Sequence, residues 1–160
     1  MPQGLDHARI VNAILHQGIP LVTEMEVETT TEFCPGKLVK VDTAEYQCEV
    51  AGDEATTVLG VADCPSDKRL QDYYTASAGG AVTDTFDAGD QIRILHGPII
   101  VKVIAKSGED IDVGERVVAA ANGMVKAFDA DGPEDVVGVS MEDTGGALAT
   151  CDWLLIKLLI

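Results

Sequence analysis

The sequence is poor in basic residues, with 11 lysines and arginines against 27 aspartates and glutamates, and its formal charge is −16 at neutral pH. A field of this sign repels phosphate backbones and therefore disfavours direct binding to nucleic acid. It equally disfavours contact with anionic membranes. The charges are spread along the chain and 46% of the residues are hydrophobic, so a folded protein is expected. Two interpretations of the acidity stay open: a solvated surface that prevents self-association, and adaptation to high salt.

The sequence also lacks a cysteine pattern that would bind zinc. Its four cysteines are Cys34, Cys48, Cys64 and Cys151. None belongs to a CxxC pair, and none has a histidine at ligand spacing, so zinc is not expected. The first residues show no apolar signal segment, and an oxidising compartment is therefore not implied. Buried free thiols are the expectation.

No catalytic motif of the GxSxG, HExxH, P-loop or GxGxxG type is present. Three histidines occur, His7, His16 and His96, and the last precedes a Gly-Pro pair that is typical of a tight turn. We therefore expect no enzyme, no catalytic residue and no cofactor.

Two acidic clusters, in residues 84–90 and 129–135, are candidate metal sites. Calcium favours several oxygen ligands on one flexible loop, but neither cluster has the spacing of a calcium-binding loop. Aspartate commonly begins turns, and this favours solvated turn acids. We predict no metal ion, while a β-barrel module that binds a small ligand or a cation stays as an alternative.

Long apolar runs are absent as well. Residues 153–160 are strongly apolar, but the run is too short to span a bilayer and Lys157 interrupts it. It predicts a buried terminal strand.

What the sequence does contain is glycine, at 16 residues, and short runs of valine, isoleucine and threonine bounded by turn residues. Two segments, residues 36–63 and 114–143, resemble each other, and a shift of 78 residues aligns Gly36 with Gly114 and Val61 with Val139 without a gap. Each copy has a Gly-led turn, two short strands around a polar turn, an acidic loop and a V-x-G-V strand. We predict an all-β fold, a small β-barrel or sandwich built from two related β-meander units.

Glycines mark equivalent points of the two copies. Gly36 and Gly114 open them and are expected to adopt positive φ. Gly60 and Gly138 stand in the V-x-G-V strands, where a bulge or a close approach of two backbones is expected.

Hairpin and strand patterns fill the remaining chain. Asn122 and Gly123 separate two strand-like runs and predict a hairpin, for which residues 43–45 are a looser counterpart. Residues 91–95 and 99–105 predict two further strands, and the second of these has a nearly continuous apolar run that is typical of a central strand.

The N-terminal region differs from the rest. Residues 1–20 are predicted to form an arm before a β domain of residues 21–160, in which the two units could be closely packed lobes. Residues 5–16 have mixed apolar spacing, and both a short helix and an extended arm remain open. Pro20 stops any helix, and residues 21–30 alternate like a half-exposed strand.

One segment carries a resemblance to a known family. Residues 86–160 contain a Gly-Asp turn with a strand, the hairpin VVAAANGMVKAF, the strand VVGVSMED and a closing apolar strand. This order resembles the small β-barrel capsid decoration proteins, or cement proteins, of tailed viruses. In that family an A-x-G turn is followed by GxALE-like residues; residues 137–142 stand in that place, and a Gly-Gly pair follows at 145–146. The resemblance covers about half of the chain, and residues 36–63 extend it in weaker form.

The resemblance implies a virion structural protein on the outer surface of an expanded capsid, with the major capsid protein as its partner and a homotrimer as its assembly. It also implies an N-terminal arm that reaches the capsid, for which the candidate contacts are Leu5, Ile10, Val11 and Ile14. Another virion component, such as a turret, fibre base or tail-tube subunit, is the alternative from the same class.

Overall fold

The computed structural model describes residues 14–28, 33–53, 55–65, 67–68, 73–74, 84–129 and 135–160. These residues form eleven β-strands. In chain order they are β1 Leu15–Gln17, β2 Leu21–Val27, β3 Leu38–Val41, β4 Gln47–Val50, β5 Val58–Ala62, β6 Gln91–His96, β7 Ile100–Ala105, β8 Arg116–Ala119, β9 Val125–Ala127, β10 Gly138–Ser140 and β11 Asp152–Leu158, with a 3₁₀ turn, Ala121–Gly123, between β8 and β9. The all-β prediction is confirmed.

The first barrel is made of β2 to β6. Its strands close in the order β2-β4-β3-β5-β6. The neighbours are antiparallel except β2 and β4, which run parallel and meet at Glu26 and Val27.

The second barrel is made of β7 to β11. The strands follow one another as β7-β11-β10-β8-β9, and the ring is closed by a parallel contact between Ala105 of β7 and Val125 of β9. β1 adds a sixth strand outside this ring by pairing with β7.

The two barrels have the same strand topology and nearly the same pairing register. Val39 pairs with Gly60 in the first barrel, and Val117 pairs with Gly138 in the second. The equivalent turn bonds are also repeated, because Gly36 N–H donates to the Ala62 carbonyl at 2.9 Å and Gly114 N–H donates to the Ser140 carbonyl at 2.8 Å. The chain is therefore a two-unit small β-barrel protein.

Each repeated unit is larger than residues 36–63 and 114–143 suggested. It also includes the preceding strand, β2 or β7, and the closing strand, β6 or β11. The closing strands do not follow the shift of 78 residues, because a longer segment joins β5 to β6 than joins β10 to β11. This extra length hides the full repeat in a gap-free comparison.

The longer connection in the first unit contributes aromatic core residues. Tyr73, Tyr74 and Phe86 are buried. The Phe86 ring packs edge-on against Phe33 at 5.3 Å and is tilted against Tyr73 at 5.6 Å. Burial of side chains of this size contributes about 1.5–3 kcal/mol each before entropy is subtracted.

In two strands, buried side chains alternate with more exposed ones, as the sequence predicted. In β2 the inward residues Met25 and Val27 are buried, while Glu24 is exposed. In β11 the buried residues Leu154, Ile156 and Leu158 alternate with more exposed neighbours, and this terminal strand lies beside β7. A single apolar core runs through both barrels.

The N-terminal boundary differs from the prediction. β1 lies inside the predicted arm of residues 1–20, so the described β structure begins before residue 21. Ile14 is fully buried, and its carbonyl accepts a hydrogen bond from Lys102 N–H at 2.8 Å. Residues 1–13 lie outside the described residues.

The turn glycines fall into two groups. Gly36 and Gly114 have φ of +88° and +85°, and the Asn122-Gly123 pair has φ of +57° and +68°. All four values lie in the left-handed region that glycine and asparagine tolerate best. Gly60 instead lies beside a register irregularity between β3 and β5.

Candidate functional site: the barrel junction and the exposed surface

Of the four predicted arm contacts, Ile14 lies within the described residues. Leu5, Ile10 and Val11 lie outside the described residues. Ile14 belongs to the chain's own core, and its Cδ1 would lie 3.4 Å from a Cβ added to Gly36. The Ile14 side chain is therefore enclosed by this chain rather than presented to a partner.

A buried hydrogen-bond chain lies at the junction between the barrels. The Cys34 thiol donates to the Tyr74 hydroxyl at 2.8 Å, and this hydroxyl donates to the Pro35 carbonyl at 2.6 Å. Burial is the main reason that the pKa values of Cys34 and Tyr74 are raised. Both groups therefore stay protonated at neutral pH, and the chain of bonds is structural.

Trp153 joins the two barrels from the side of β11. Its ring meets Tyr74 edge-on at 5.1 Å and lies 2.6 Å from the position that a Cβ on Gly36 would take. Lys102 of β7 places its ammonium group 5.7 Å from the centre of the indole ring. Burial lowers the pKa of Lys102, and the charge of Glu142 opposes this shift.

A second contact between the barrels uses the predicted hairpin. Gly123 N–H donates to the Ala51 carbonyl at 2.8 Å, and a Cβ at Gly123 would lie 2.7 Å from the Leu38 carbonyl oxygen. Nearby, the Lys126 ammonium group pairs with Asp53 at 3.1 Å. The Asn-Gly hairpin thus serves as a docking point between the units as well as a turn.

His96 and the first acidic cluster make hydrogen bonds within the fold. His96 Nε2 lies 2.9 Å from Thr23 Oγ1, across the β2–β6 pair. In the first acidic cluster the Asp90 carboxylate accepts a bond from Asp87 N–H at 2.8 Å. In the part of the chain that is described, no three His, Cys, Asp or Glu side chains are close enough to hold a metal ion.

All four cysteines are free thiols, and the predicted burial is found for two of them. Cys34 and Cys48 are buried, while Cys64 and Cys151 are half-buried. Burial, and secondarily the charge of Asp42, raises the pKa of Cys48 to about 11. Unreactive thiols of this kind are typical of packing residues.

A shallow groove of about 220 Å³ lies on the outside of the first barrel, and Glu24, Asp63, Asp67 and Arg93 are among its lining residues. The Asp63 carboxylate accepts a bond from Cys64 N–H at 2.9 Å and lies 3.7 Å from the Arg93 guanidinium. Burial raises the pKa of Asp63, and these two contacts lower it. The groove presents mainly negative charge.

Several large apolar side chains are exposed instead of packed. They lie on loops and strand ends of both barrels: Ile19, Leu21, Val22, Val41, Tyr46, Val113, Met141 and Leu159. The sequence offered no way to separate these residues from core residues of the same type. Among the described residues, no helix is long and apolar enough to cross a membrane.

Known proteins resemble this chain in structure rather than in sequence. No protein-family model matches the chain, and no curated protein matches it. Among solved structures, the head fiber gp8.5 N base of bacteriophage phi29 is similar over 89% of this chain and 99% of that chain, at 14% sequence identity and a TM-score of 0.49.

Proposed function

We propose that the protein is a structural component of a virion, and more specifically that it binds the outside of an assembled capsid and stabilises it. The observation that carries the proposal is that the segment with the family resemblance includes a complete barrel. Residues 86–160, which resemble the decoration proteins, contain all five strands of the second barrel together with β6 of the first. The first barrel repeats the same topology, which supports an extension of the resemblance to residues 36–63.

The surface is compatible with such a role. A net charge of −16 supports solubility at high copy number, because like charges oppose non-specific association. The exposed apolar side chains supply contact area for a partner. A function by surface contact needs no catalytic residue and no cofactor, and we propose none.

The proposed partner is the major capsid protein, and the proposed assembly is a homotrimer. Binding to the assembled shell alone stabilises that shell by mass action. Three linked sites on one lattice would bind more tightly than one, because the second and third contacts become intramolecular.

The proposal is tested with purified protein and expanded empty capsids of the same virus. We expect saturable binding at a copy number that matches the capsid lattice, and a higher temperature of capsid disruption when the protein is bound. Sedimentation of the free protein measures whether it is a trimer. Failure to bind or to stabilise expanded capsids contradicts the proposal, and rings or stacked tubes in negative-stain images would favour another virion component.

A further inference from the structure

The edge of β7 shows how the second barrel receives an additional strand. β1 lies against this edge, with Leu15 opposite Val101 and Gln17 opposite Ile100. The Lys102 N–H donates to the Ile14 carbonyl at 2.8 Å. β1 thereby covers residues Ile100 to Lys102 of β7. They lie on the side of β7 that pairs with β9 only further along, at Ala105.

The equivalent edge of β2 has no described strand beside it, and we call it the open edge. The shift of 78 residues places Val22 on Ile100 and Glu24 on Lys102. The pairing of β2 with β4 begins only at Glu26, whose N–H donates to the Tyr46 carbonyl at 2.9 Å. In the described part of the chain no strand pairs with this side of β2 at residues 22–24.

The direction of the backbone groups follows from the strand geometry. Val27 N–H donates to the Asp90 carbonyl on the β6 side, and Glu26 N–H donates on the β4 side. Because successive residues of a strand point their N–H groups to opposite sides, Val22 and Glu24 direct theirs to the open edge. These amides and their carbonyls form a template for strand pairing.

Exposed apolar side chains stand before and after this edge along the strands. Ile19 is 93% exposed, Leu21 62% and Tyr46 79%. Tyr46 stands where β4 joins β2 and would meet the end of an added strand. The open edge is thus short, like the edge that β1 covers. We call the exposed side chains of Ile19, Leu21 and Tyr46 its apolar rim.

Charge selects the kind of strand that fits. Glu24 is exposed on the outer face of β2. Arg93 lies opposite it on β6, and the groove with Asp63 and Asp67 is on that same β6 side, so Glu24 is the acidic side chain that borders the open edge. A second copy of this chain, with 11 basic against 27 acidic residues, is poor in the side chains that would complement Glu24. A strand with lysine or arginine opposite Glu24 would instead form favourable cross-strand pairs.

We propose that the β2 edge at Val22–Glu24 binds an extended segment of another protein, with basic side chains on its outer face and apolar side chains toward the rim. Main-chain hydrogen bonds to Val22 and Glu24 would supply the affinity, and the charges would supply the selectivity. This inference goes beyond the proposed function and holds for any partner with such a strand.

The test uses a capped synthetic peptide of alternating valine and lysine, together with amide hydrogen exchange measured by NMR. At saturating peptide we expect the exchange of the Val22 and Glu24 amides to slow by about tenfold or more. The Lys102 amide, which already donates to Ile14, serves as an internal reference and should not change. A peptide of alternating valine and glutamate should give no protection.

Two protein variants and one peptide variant isolate the backbone contact. Val22→Pro and Glu24→Pro each remove an N–H that has no partner among the described residues, and proline is tolerated at strand edges. Both should keep the wild-type circular dichroism and lose the protection at the remaining edge amide, while Val22→Ala keeps it. A peptide N-methylated at its edge-facing amides tests the same point with unchanged protein.

Three results would overturn the inference. The first is unchanged exchange at both amides with millimolar valine-lysine peptide. The second is equal protection by the N-methylated peptide. The third is a free protein that sediments as an oligomer with both amides already protected and dissociates in the Val22→Pro variant, because the edge would then be occupied by a second copy of this chain.

Discussion

Gly60 packs against the backbone carbonyl of Leu95, and the second barrel repeats this contact between Gly138 and the carbonyl of Lys157. In both barrels the glycine lies on the fourth strand of the unit and the carbonyl lies on the fifth. A Cβ at Gly138 would lie 2.7 Å from that oxygen, and a Cβ at Gly60 would lie closer still. The V-x-G-V glycines thus allow two strands of each barrel to approach.

The first prediction is that Gly60→Ala and Gly138→Ala both destabilise the protein, since a backbone carbonyl cannot move aside as a flexible side chain can. We expect each to lower the free energy of unfolding by about 1–3 kcal/mol, the usual cost of overpacking. Urea denaturation measures the loss. Gly52→Ala is the control, because among the described residues, its chain neighbours aside, no atom lies within 4 Å of the position that its methyl group would take. It should change the stability by no more than about 0.5 kcal/mol. Equal stabilities for Gly138→Ala and Gly52→Ala would contradict the prediction.

The second prediction compares the two glycines that open the units. Gly36 and Gly114 have nearly the same positive φ, but a Cβ on Gly36 would meet the Trp153 ring. A Cβ on Gly114 would meet no described atom within 4 Å apart from its chain neighbours. Gly114→Ala should cost about 1 kcal/mol of backbone strain, and Gly36→Ala should cost on the order of 1–3 kcal/mol more.

Thermal or urea unfolding of the Gly36 and Gly114 variants measures this difference, and a Trp153→Leu background tests its cause. If the indole ring is the obstacle, the extra cost of Gly36→Ala should shrink in that background, which a double-mutant cycle reports directly. An extra cost that persists without the indole ring would assign it to another contact.

The third prediction concerns the hydroxyl of Tyr74. Tyr74→Phe keeps a ring beside Trp153 but removes the partner of the Cys34 thiol and of the Pro35 carbonyl. Because a buried carbonyl is left unsatisfied, we expect a loss of about 1–3 kcal/mol in the free energy of unfolding. The matched control is Tyr46→Phe, whose hydroxyl belongs to an exposed side chain and should matter by less than about 0.5 kcal/mol. A Tyr74→Phe variant as stable as its control would show that the hydrogen-bond chain adds nothing.

The fourth prediction is a loss of stability at alkaline pH through Cys48. Its pKa is raised in the fold from 9.0 to about 11, so between these values the unfolded thiol ionises while the folded thiol keeps its proton. Ionisation then favours the unfolded state, and the stability contribution that is complete below pH 9 is lost toward pH 11. Under reducing conditions, the difference in unfolding free energy between wild type and Cys48→Ala should fall across this range. A pH-independent difference would contradict the raised pKa.

Local patterns predicted much of the fold. The alternation in residues 21–30, the apolar run in residues 99–105 and the apolar terminal segment each became a strand close to its expected place: β2, β7 and β11. The Asn122-Gly123 turn also has the backbone conformation that its residue types favour. These features depend on neighbours within a few residues, and the sequence contains those neighbours directly.

The same local patterns could not predict which distant strands pair with each other. The parallel contacts that close the barrels, β2 with β4 and β7 with β9, join strands that alternation cannot match to each other. The role of Ile14 was hidden for the same reason. Its apolar side chain fits both an arm and a core, and only the pairing of β1 with β7 decides for the core.

By itself, the sequence determined an acidic all-β chain built from two related units, because charge, strand alternation and turn glycines are local properties. Only the tertiary structure decided that the repeat is a complete five-stranded barrel, which glycines have room for a side chain, and which strand edge is covered. The physical reason is that these outcomes depend on backbone groups brought together from distant parts of the chain. The edge of β7 is covered by β1, while the equivalent edge of β2 at Val22 and Glu24 has no such strand among the described residues.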